Sequence, residues 1–476
     1  MTYVAINNLE CDHWDIMSAF LHGTIDLDLY MQQPAGFEDG TNRVCKLNKA
    51  IYGLCQAARL FYRRLDSELG EVGYERYCGD WVLWKKEGGA FIGCHVDDVT
   101  AVGTRTQLDA TKTHLDNTFG IQDFGQIKAY LGIHIQRNRN SRQIFLSQKD
   151  YACKILQEMG MKDCNPVATP MLEKKERTLE WESHSTLLDD KNKKRYQAAI
   201  GSLLYLMHGT RPDLAYAVIT LSQYSSRSEE HHWEGIKRIL RYIKGIINAG
   251  IVLGDCAEER LLGYFDSAHA DTIDLRSTCG YVFLLKGSPI SWVTKVQKMV
   301  ALSTTESEYM AGTEAAKEAI YLRGLVQTIF GWEEKVKLVG DNKGSLDLAK
   351  NPVFHARTKH INLRHRFITQ VVQEGMAEVH RVRSRDMLAD GMTKPLPKDT
   401  HRDHLRRMGM RLKGWNAIEK MSSKKRKWNC ARCEEEFVKE EDLRHHMMEV
   451  CCDKWIEQYK IVLKEAELLA EIRNVD

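Results

Sequence analysis

The chain has 476 residues, of which 43% are hydrophobic and 28% charged, with a formal net charge of +3. That length suits about three domains with several cores. The near-neutral balance excludes a polycation that holds nucleic acid by overall charge, so any such contact must come from local basic patches. No apolar run approaches the ~18 residues of a membrane span. The start MTYVAINNLECDHWD lacks the charged head and apolar core of a secretory signal, so no membrane partner is expected. Thirteen cysteines in such a chain point to reduced thiols and a cytoplasmic or nuclear site; nine are scattered and four cluster between 430 and 452.

In chain order, WDIMSAFLHG places Asp15 between Trp14 and Ile16, where a strand is expected to end. LFYRRLDSELGEVGY spaces Leu60, Tyr62, Leu65 and Leu69 as a helix face that stops at Gly70 or Gly73. WVLWKKEGGAFIGCHV reads as two strands around a Gly-Gly turn. Asp97 and Asp98 follow in AFIGCHVDDVTAVG, between two apolar runs. Adjacent aspartates there are either plain turn residues or two hard oxygen ligands on a hairpin tip, whose mutual repulsion Mg²⁺ would cancel. Residues 172–195 are polar and are expected to form an exposed connection. A helical region follows over 196–226 and again in HHWEGIKRILRYIKGI. In the latter, Trp233, Ile236, Ile239, Leu240 and Ile243 share one face, flanked by Lys237, Arg238, Arg241 and Lys244.

From Leu261 the pattern changes. LLGYFDSAHA and STCGYVFLLKGSPISWVTK read as strands, TTESEYMAGTEAAKEAIYLRGLVQTIF as a long helix, and VKLVGDN as another strand, which together fit a mixed α/β domain. Trp292 and Tyr309 are expected in its core. FHARTKHINLRHRFI alternates cations with apolar residues, as either a solvated face or a phosphate-facing element, with His360 and His365 as structural or product-release histidines. In the tail, Cys430-x2-Cys433-x12-His446-x4-Cys451 has the ligand spacing of a tetrahedral Zn²⁺ site. Phe437 and Leu443 sit where a small ββα finger keeps its core, and His445 and Cys452 are rival ligands. KKRKW before it is a solvated linker, a nuclear import signal or a phosphate-binding arm. The last stretch places Ile456, Tyr459, Val462 and Leu469 on one helix side, a candidate surface for a protein partner.

Several of these segments carry a resemblance. DIMSAFLHGTIDLDLYMQQPAGFEDGTNRVCKLNKAIYGLCQAARLFYRRL, HVDD, YLGIHIQRNRNSRQIFLSQKDYACKIL and IGSLLYLMHGTRPDLAYAVITLSQYSS resemble the reverse transcriptase of copia-type LTR retrotransposons. The resemblance runs from about residue 12 to 397. It implies a palm in which Asp15, Asp97 and Asp98 hold Mg²⁺ or Mn²⁺. It also implies that Phe20 crowds the sugar 2′-hydroxyl of a dNTP, with a plain core Phe as the alternative, and that Gln56 contacts the incoming nucleotide; Arg59 reads first as a surface residue and second as a template-side contact. His95 replaces the family's Tyr, and Cys55 its Lys. The family's fingers would lie upstream of Met1, so the expectation is of an N-terminally truncated polymerase.

Residues 261–397 resemble the ribonuclease H domain of the same polyproteins. The resemblance implies Asp266, Glu308, Asp341 and Asp390 as catalytic, metal-binding acids, with Glu308 preferred to its rival Glu306. The fold expected is an α+β multidomain chain: partial palm 1–165, thumb or helical connection 166–255, ribonuclease H-like domain 256–400, basic linker 401–427, zinc finger 428–455 and amphipathic helix 456–476. Two functions stay open. The first is a retrotransposon-derived nucleotidyltransferase and endonuclease, from an element that integrates DNA, acting on an RNA template, a DNA primer and RNA/DNA hybrid by two-metal phosphoryl transfer. The second is an inactive or repurposed nucleic-acid-binding zinc-finger protein.

Overall fold

The computed structural model describes residues 1–173, 186–254, 256–351 and 366–414, and the backbone of two short strands, Trp428–Asn429 and Glu436–Phe437. The chain divides into two compact units, Met1–Leu412 and Lys413–Asp476. Among the described residues no helix is long and apolar enough to cross a membrane.

The first sheet uses β1 (Glu10–Ile16), β2 (Tyr74–Arg76), β3 (Leu83–Lys86), β4 (Ala90–His95), β5 (Asp98–Gly103) and β6 (Ile121–Gln126). Their order is β2-β3-β4-β5-β1-β6, with every pairing antiparallel. Two helices, α1 (Ala57–Glu71) and α2 (Arg105–Phe119), close over one face. Trp14, Ile16, Trp84, Ile92 and Val99 of the sheet pack there against Phe61, Leu65, Leu69, Leu108 and Leu115 of the helices. Burying each such side chain contributes about 1.5–3 kcal/mol. The buried face of α1 holds Phe61, whereas Tyr62 is half-buried. The Tyr62 hydroxyl is engaged instead at the β4–β5 turn, taking the Val96 amide proton at 3.1 Å and lying 3.4 Å from the Cys94 carbonyl. A capping box between Thr104 and Gln107 starts α2.

A second sheet follows, from β7 (Ala129–Tyr130), β8 (Ile133–Asn138), β9 (Gln143–Ser147) and β10 (Gly250–Gly254), with Met410–Arg411 on the far side of β10. It draws on segments far apart in sequence, and β10 lies inside the stretch expected to be a helical connection. Ile144, Ile251 and Leu253 close its core with Val4 and Ala5. Helices α3 (Lys149–Glu158), α4 (Asp190–Thr210), α5 (Ala215–Ser222) and α6 (Glu230–Gly245) form a block around Tyr196, Leu203, Leu221, Ile239 and Ile243. Helix α4 starts at Asp190, inside the stretch expected to be an exposed connection. The Asp189 carboxylate caps it by accepting the Asn192 amide proton at 2.7 Å.

The third sheet comprises β11 (Leu261–Ala268), β12 (Thr278–Leu285), β13 (Ser288–Val296), β14 (Val336–Gly340) and β15 (Ala377–Arg381) in the order β13-β12-β11-β14-β15. Pairings β13–β12–β11 are antiparallel, and β11–β14 and β14–β15 are parallel. Helix α7 (Thr304–Phe330) starts at the Ser303 cap and ends at Gly331 in the left-handed region (φ 72°). It lies close to the sheet because its inner face is Ala311, Gly312, Ala315, Ala316 and Ala319. A Cβ at Gly312 would stand 3.0 Å from the Phe265 ring and 2.9 Å from Ile368. Helices α8 (Lys343–Lys350), α9 (Phe367–Gln373), α10 (Asp390–Thr393) and α11 (Lys398–Arg407) complete the unit. Tyr309 is buried. Trp292 is half-buried and donates its indole proton to the Met207 carbonyl, tying this domain to the helical block. The architecture is α+β: an antiparallel sheet covered by two helices, a second sheet beside a helical block, and a mixed sheet packed against one long helix.

Some expectations lie outside the described residues: Cys430, Cys433, His445, His446, Cys451 and Cys452, the stretch 352–365 with His360 and His365, most of KKRKW, and the helix expected over 456–476. In the second unit, Trp428–Asn429 and Glu436–Phe437 pair as antiparallel strands.

Candidate active site

Two groups of acids were expected, and each is placed by sheet register. In the first sheet Asp15 on β1 stands directly opposite Asp98 on β5. The Ile16 amide donates to the Asp97 carbonyl at 3.0 Å, which pins the hairpin tip against β1. At that tip Val96 has φ 61°, a conformation that costs a β-branched residue energy. Asp15 is held above the usual carboxylate range by burial and by the charges of Asp97 and Asp98, with His13 opposing them. Like charges therefore converge here, as a cation site of hard oxygen donors requires. Their carboxylates are not gathered to ligand spacing, however: among the described residues the sets whose ligand atoms lie within 4.8 Å of one another do not include them. Asp98 instead meets His13, whose Nε2 is 2.9 Å from Oδ1. The His13 ring is itself held, stacked on Phe124 at 4.9 Å and edge-on to Tyr130 at 5.9 Å. Sequence reasoning missed His13; the signal was its position two residues before Asp15, on the same strand face.

The remaining residues of that site fall into place around α1. Phe20 is half-buried, with its ring 4.5 Å from that of exposed Tyr52. Burial and the Asp97 and Asp15 charges raise the Tyr52 hydroxyl above its ordinary pKa, so this second unanticipated residue lies near the acids. Half-buried Gln56 immediately precedes α1. Exposed Arg59 lies 3.5 Å from Asp26, and Cys55 and His95 are exposed.

The second group is tighter. Asp266 on β11, Glu308 in the first turns of α7 and Asp341 just after β14 bring ligand oxygens within 4.8 Å of one another. The parallel pairing of β11 with β14 places Asp266 and Asp341 at one sheet end, and α7 begins there. Asp266 and Glu308 are buried. Burial, with the charges of Asp266 and Asp341, pushes the Glu308 carboxyl up to about 10, and only the Ser267 amide draws it back. Among the described residues no hydrogen-bond donor reaches buried Glu308 Oε2. Glu306 is excluded from the group because its carboxylate accepts the Leu302 amide proton at 2.7 Å.

Asp390 opens α10 beside this cluster but is not one of the three. Lys394 pairs with its Oδ1 at 2.8 Å. Burial and Asp266 push Asp390 up to about 7 against the pull of Lys394. Burial works against the Lys394 charge, yet Asp266, Asp390 and Asp341 keep it protonated. Thr393 donates its hydroxyl proton to Asp266 Oδ2, and Ser384 donates to Asp341 Oδ2 at 2.8 Å. A small residue makes this possible, since a Cβ at Gly280 would collide with Met392 and push α10 off β12.

The donor set fits a divalent cation such as Mg²⁺ or Mn²⁺: converging hard oxygens, one orphaned and buried, in a site short of positive charge. A third acidic group, Glu68, Glu71 and His114, also has ligand atoms within 4.8 Å. It differs because Arg64 already neutralises Glu68 at 2.7 Å, and His114 Nε2 lies 3.0 Å from its other oxygen. That group reads as a closed ion-pair network.

Comparison with known proteins agrees with this architecture. Residues 1–173 match the family model described as reverse transcriptase (RNA-dependent DNA polymerase). The chain is 37% identical over 410 residues to the retrovirus-related Pol polyprotein from transposon TNT 1-94 of Nicotiana tabacum, covering 84% of this chain and 31% of that one. It is 38% identical over 405 residues to the polyprotein from transposon RE2 of Arabidopsis thaliana, covering 83% and 27%. It is 30% identical over 312 residues to a transposon Ty5-1 protein of Saccharomyces cerevisiae, covering 64% and 99%. The chain thus spans about a third or less of the plant polyproteins. Among solved structures, a foamy viral protease-reverse transcriptase in complex with RNA/DNA hybrid aligns at 13% identity and TM-score 0.48, over 79% of this chain and 44% of that one. The ribonuclease H1 of Halobacterium salinarum aligns at 16% identity and TM-score 0.22, over 28% and 95%. This chain belongs to the copia-type retrotransposon Pol polyprotein family, with a reverse transcriptase region at residues 1–173.

Proposed function

We propose that the chain cleaves the RNA strand of RNA/DNA hybrids at Asp266, Glu308, Asp341 and Asp390. The observation that carries this reading is the buried convergence of Asp266, Glu308 and Asp341 around an unsatisfied Glu308 oxygen. Bound Mg²⁺ or Mn²⁺ would activate the attacking water and offset charge on the leaving oxygen. The chain's own contribution is orientation: β11, α7 and β14 fix three carboxylates at one sheet end, and Lys394 holds the fourth. Water attacks phosphorus, the bond from phosphorus to the 3′ oxygen breaks, and the products are a 3′-hydroxyl and a 5′-phosphate. The test is incubation of the full chain with labelled hybrid and Mg²⁺, beside Glu308→Gln. Cleavage by the parent alone supports the reading, and equal absence of cleavage overturns it.

The first sheet supports a second activity, RNA-directed DNA synthesis, with Asp15, Asp97 and Asp98 as cation ligands and Phe20 and Gln56 at the dNTP. One observation favours the rival reading for this half, a nucleic-acid-holding palm without turnover: Asp98 is held by His13 and the three carboxylates are not gathered. Primer extension on an RNA template with dNTPs and Mg²⁺ separates the two.

Our proposed boundaries are palm 1–165, connection 166–255, ribonuclease H-like domain 256–412, basic linker 413–427, zinc finger 428–455 and a partner-binding helix 456–476; the linker expected from residue 401 starts later, because Lys398–Arg407 is a helix with His404 and Leu405 buried and Met410–Arg411 pairs with β10. The pairing of Trp428–Asn429 with Glu436–Phe437 brackets Cys430 and Cys433 and supports a ββα finger that holds Zn²⁺ through Cys430, Cys433, His446 and Cys451. The described cysteines are all free thiols, which supports a cytoplasmic or nuclear setting.

A further inference from the structure

We infer that Thr393 is a positioning residue that sets the cation affinity of the second acidic cluster by fixing the Asp266 carboxylate. This rests on the reading of Asp266, Glu308 and Asp341 as cation ligands.

A threonine hydroxyl has one proton to donate. Two acceptors lie near it: Asp266 Oδ2 and, at 3.3 Å, the Asp390 carbonyl. The Asp390 carbonyl already receives the Lys394 amide proton at 3.0 Å. The Asp390 carbonyl could take a second proton, but a bond to a carboxylate oxygen is the stronger of the two, so the Thr393 proton goes to Asp266.

The hydroxyl has nowhere else to go. Thr393 is fully buried, as is Met392 beside it. Thr294 donates to the Met392 carbonyl at 2.7 Å, and the absent side chain of Gly280 lets Met392 settle on β12. A β-branched side chain also has few rotamers available. The contact joins α10, which carries Asp390, to β11, which carries Asp266. These acids come from segments that share no backbone ladder, so a side-chain bond is what registers one against the other. Hydrogen bonds of this kind orient carboxylate ligands, and losing one weakens metal binding by roughly 10–100-fold.

The experiment uses the full chain, freed of metal by dialysis and titrated with MnCl₂. The readout is the rise in unfolding temperature, and an Asp266→Asn control subtracts binding elsewhere. Thr393→Val keeps the shape and removes the donor; Thr393→Ser keeps the donor. We expect the midpoint for Thr393→Val to need roughly tenfold or more Mn²⁺, and Thr393→Ser to stay within about threefold of the parent. Thr393→Ala serves as a second donor-free chain should the valine variant fail to fold. A valine or alanine variant that titrates like the parent overturns the inference and leaves the site's reading intact. A parent that titrates like Asp266→Asn overturns the reading of the cluster, and the role of Thr393 with it.

Discussion

His13 Nε2 lies 2.9 Å from Asp98 Oδ1, so the hairpin acid that faces Asp15 across the β1–β5 ladder is oriented by a histidine on the same face of β1. The ring is anchored by Phe124 and Tyr130, which makes it a rigid partner. Replacing it with leucine removes a partly buried hydrogen bond, and we expect unfolding free energy to fall by about 1 kcal/mol. His13→Gln keeps a donor and should lose less. If the palm extends primers, His13→Leu should slow extension roughly tenfold, as loss of a ligand-orienting bond does. Urea unfolding and single-turnover primer extension measure the two effects.

Val96 carries φ 61° at the tip of the Asp97–Asp98 hairpin. A β-branched residue is strained there, whereas glycine adopts that region freely. Val96→Gly should therefore leave stability unchanged or raise it by up to about 1 kcal/mol, despite the entropy that glycine adds to the unfolded chain. The conformation is over-determined by the Tyr62 hydroxyl, which accepts the Val96 amide proton. Tyr62→Phe should then cost about 1 kcal/mol in the parent and less in the Val96→Gly background. A double-mutant cycle in urea checks this coupling.

The third sheet was the most legible part of the chain. Ser303 and Gly331 bracket α7 at the bounds read from TTESEYMAG to QTIF, because capping chemistry is local. The strands around the Gly-Gly turn and the long strand runs were legible for the same reason. That Asp266, Glu308 and Asp341 meet was not local information: it depends on a parallel pairing of residues 75 apart, such as Leu262 with Lys337, and came only through resemblance. The start of α4 was missed because its first turns are polar and solvated, leaving no apolar rhythm. Strand β10 was missed because its partners, β9 and Met410–Arg411, each lie more than a hundred residues away, one before it and one after. His13, Tyr52 and Thr393 carry no motif of their own, and each is identified only by what it touches.

Glu308 gives the metal-free chain a pH dependence. Its carboxyl is raised to about 10 in the folded state by burial and by Asp266 and Asp341. In the unfolded chain it ionises near its ordinary value of about 4.3. Between those values the folded state binds the extra proton, so folding stability falls as pH rises. Metal-free protein should therefore unfold at a lower temperature at pH 8 than at pH 6. Glu308→Gln should make the profile shallower, leaving the slope that Asp390, raised to about 7, still contributes, and should stabilise the metal-free chain at pH 8 by on the order of 1–3 kcal/mol. Added Mg²⁺ should flatten it in the parent, since a cation replaces the proton. Thermal unfolding across pH 6–8, with and without Mg²⁺, reads all three.

Arg211 and Asp213 form a buried, bidentate pair between α4 and α5, with N–O distances of 2.8–3.2 Å. Both side chains are almost fully enclosed. The desolvation cost of Arg211 is offset by Asp213 and by Tyr242, whose hydroxyl also meets His401 Nε2 of α11 at 2.8 Å. The pair thus sits where the helical block meets α11. Removing one member leaves the other charge buried and uncompensated, so Asp213→Leu should cost about 3–5 kcal/mol. Arg211→Met should cost a similar amount. The double replacement removes both charges and should recover most of the loss, which gives a large coupling energy in a double-mutant cycle. Additive single losses would mean that the pair is solvated, contrary to its burial. Because Trp292 ties the same block to β13 through the Met207 carbonyl, loosening the pair should also lower the cooperativity of unfolding. In urea titrations this would appear as a reduced slope for Asp213→Leu and a restored slope for the double variant.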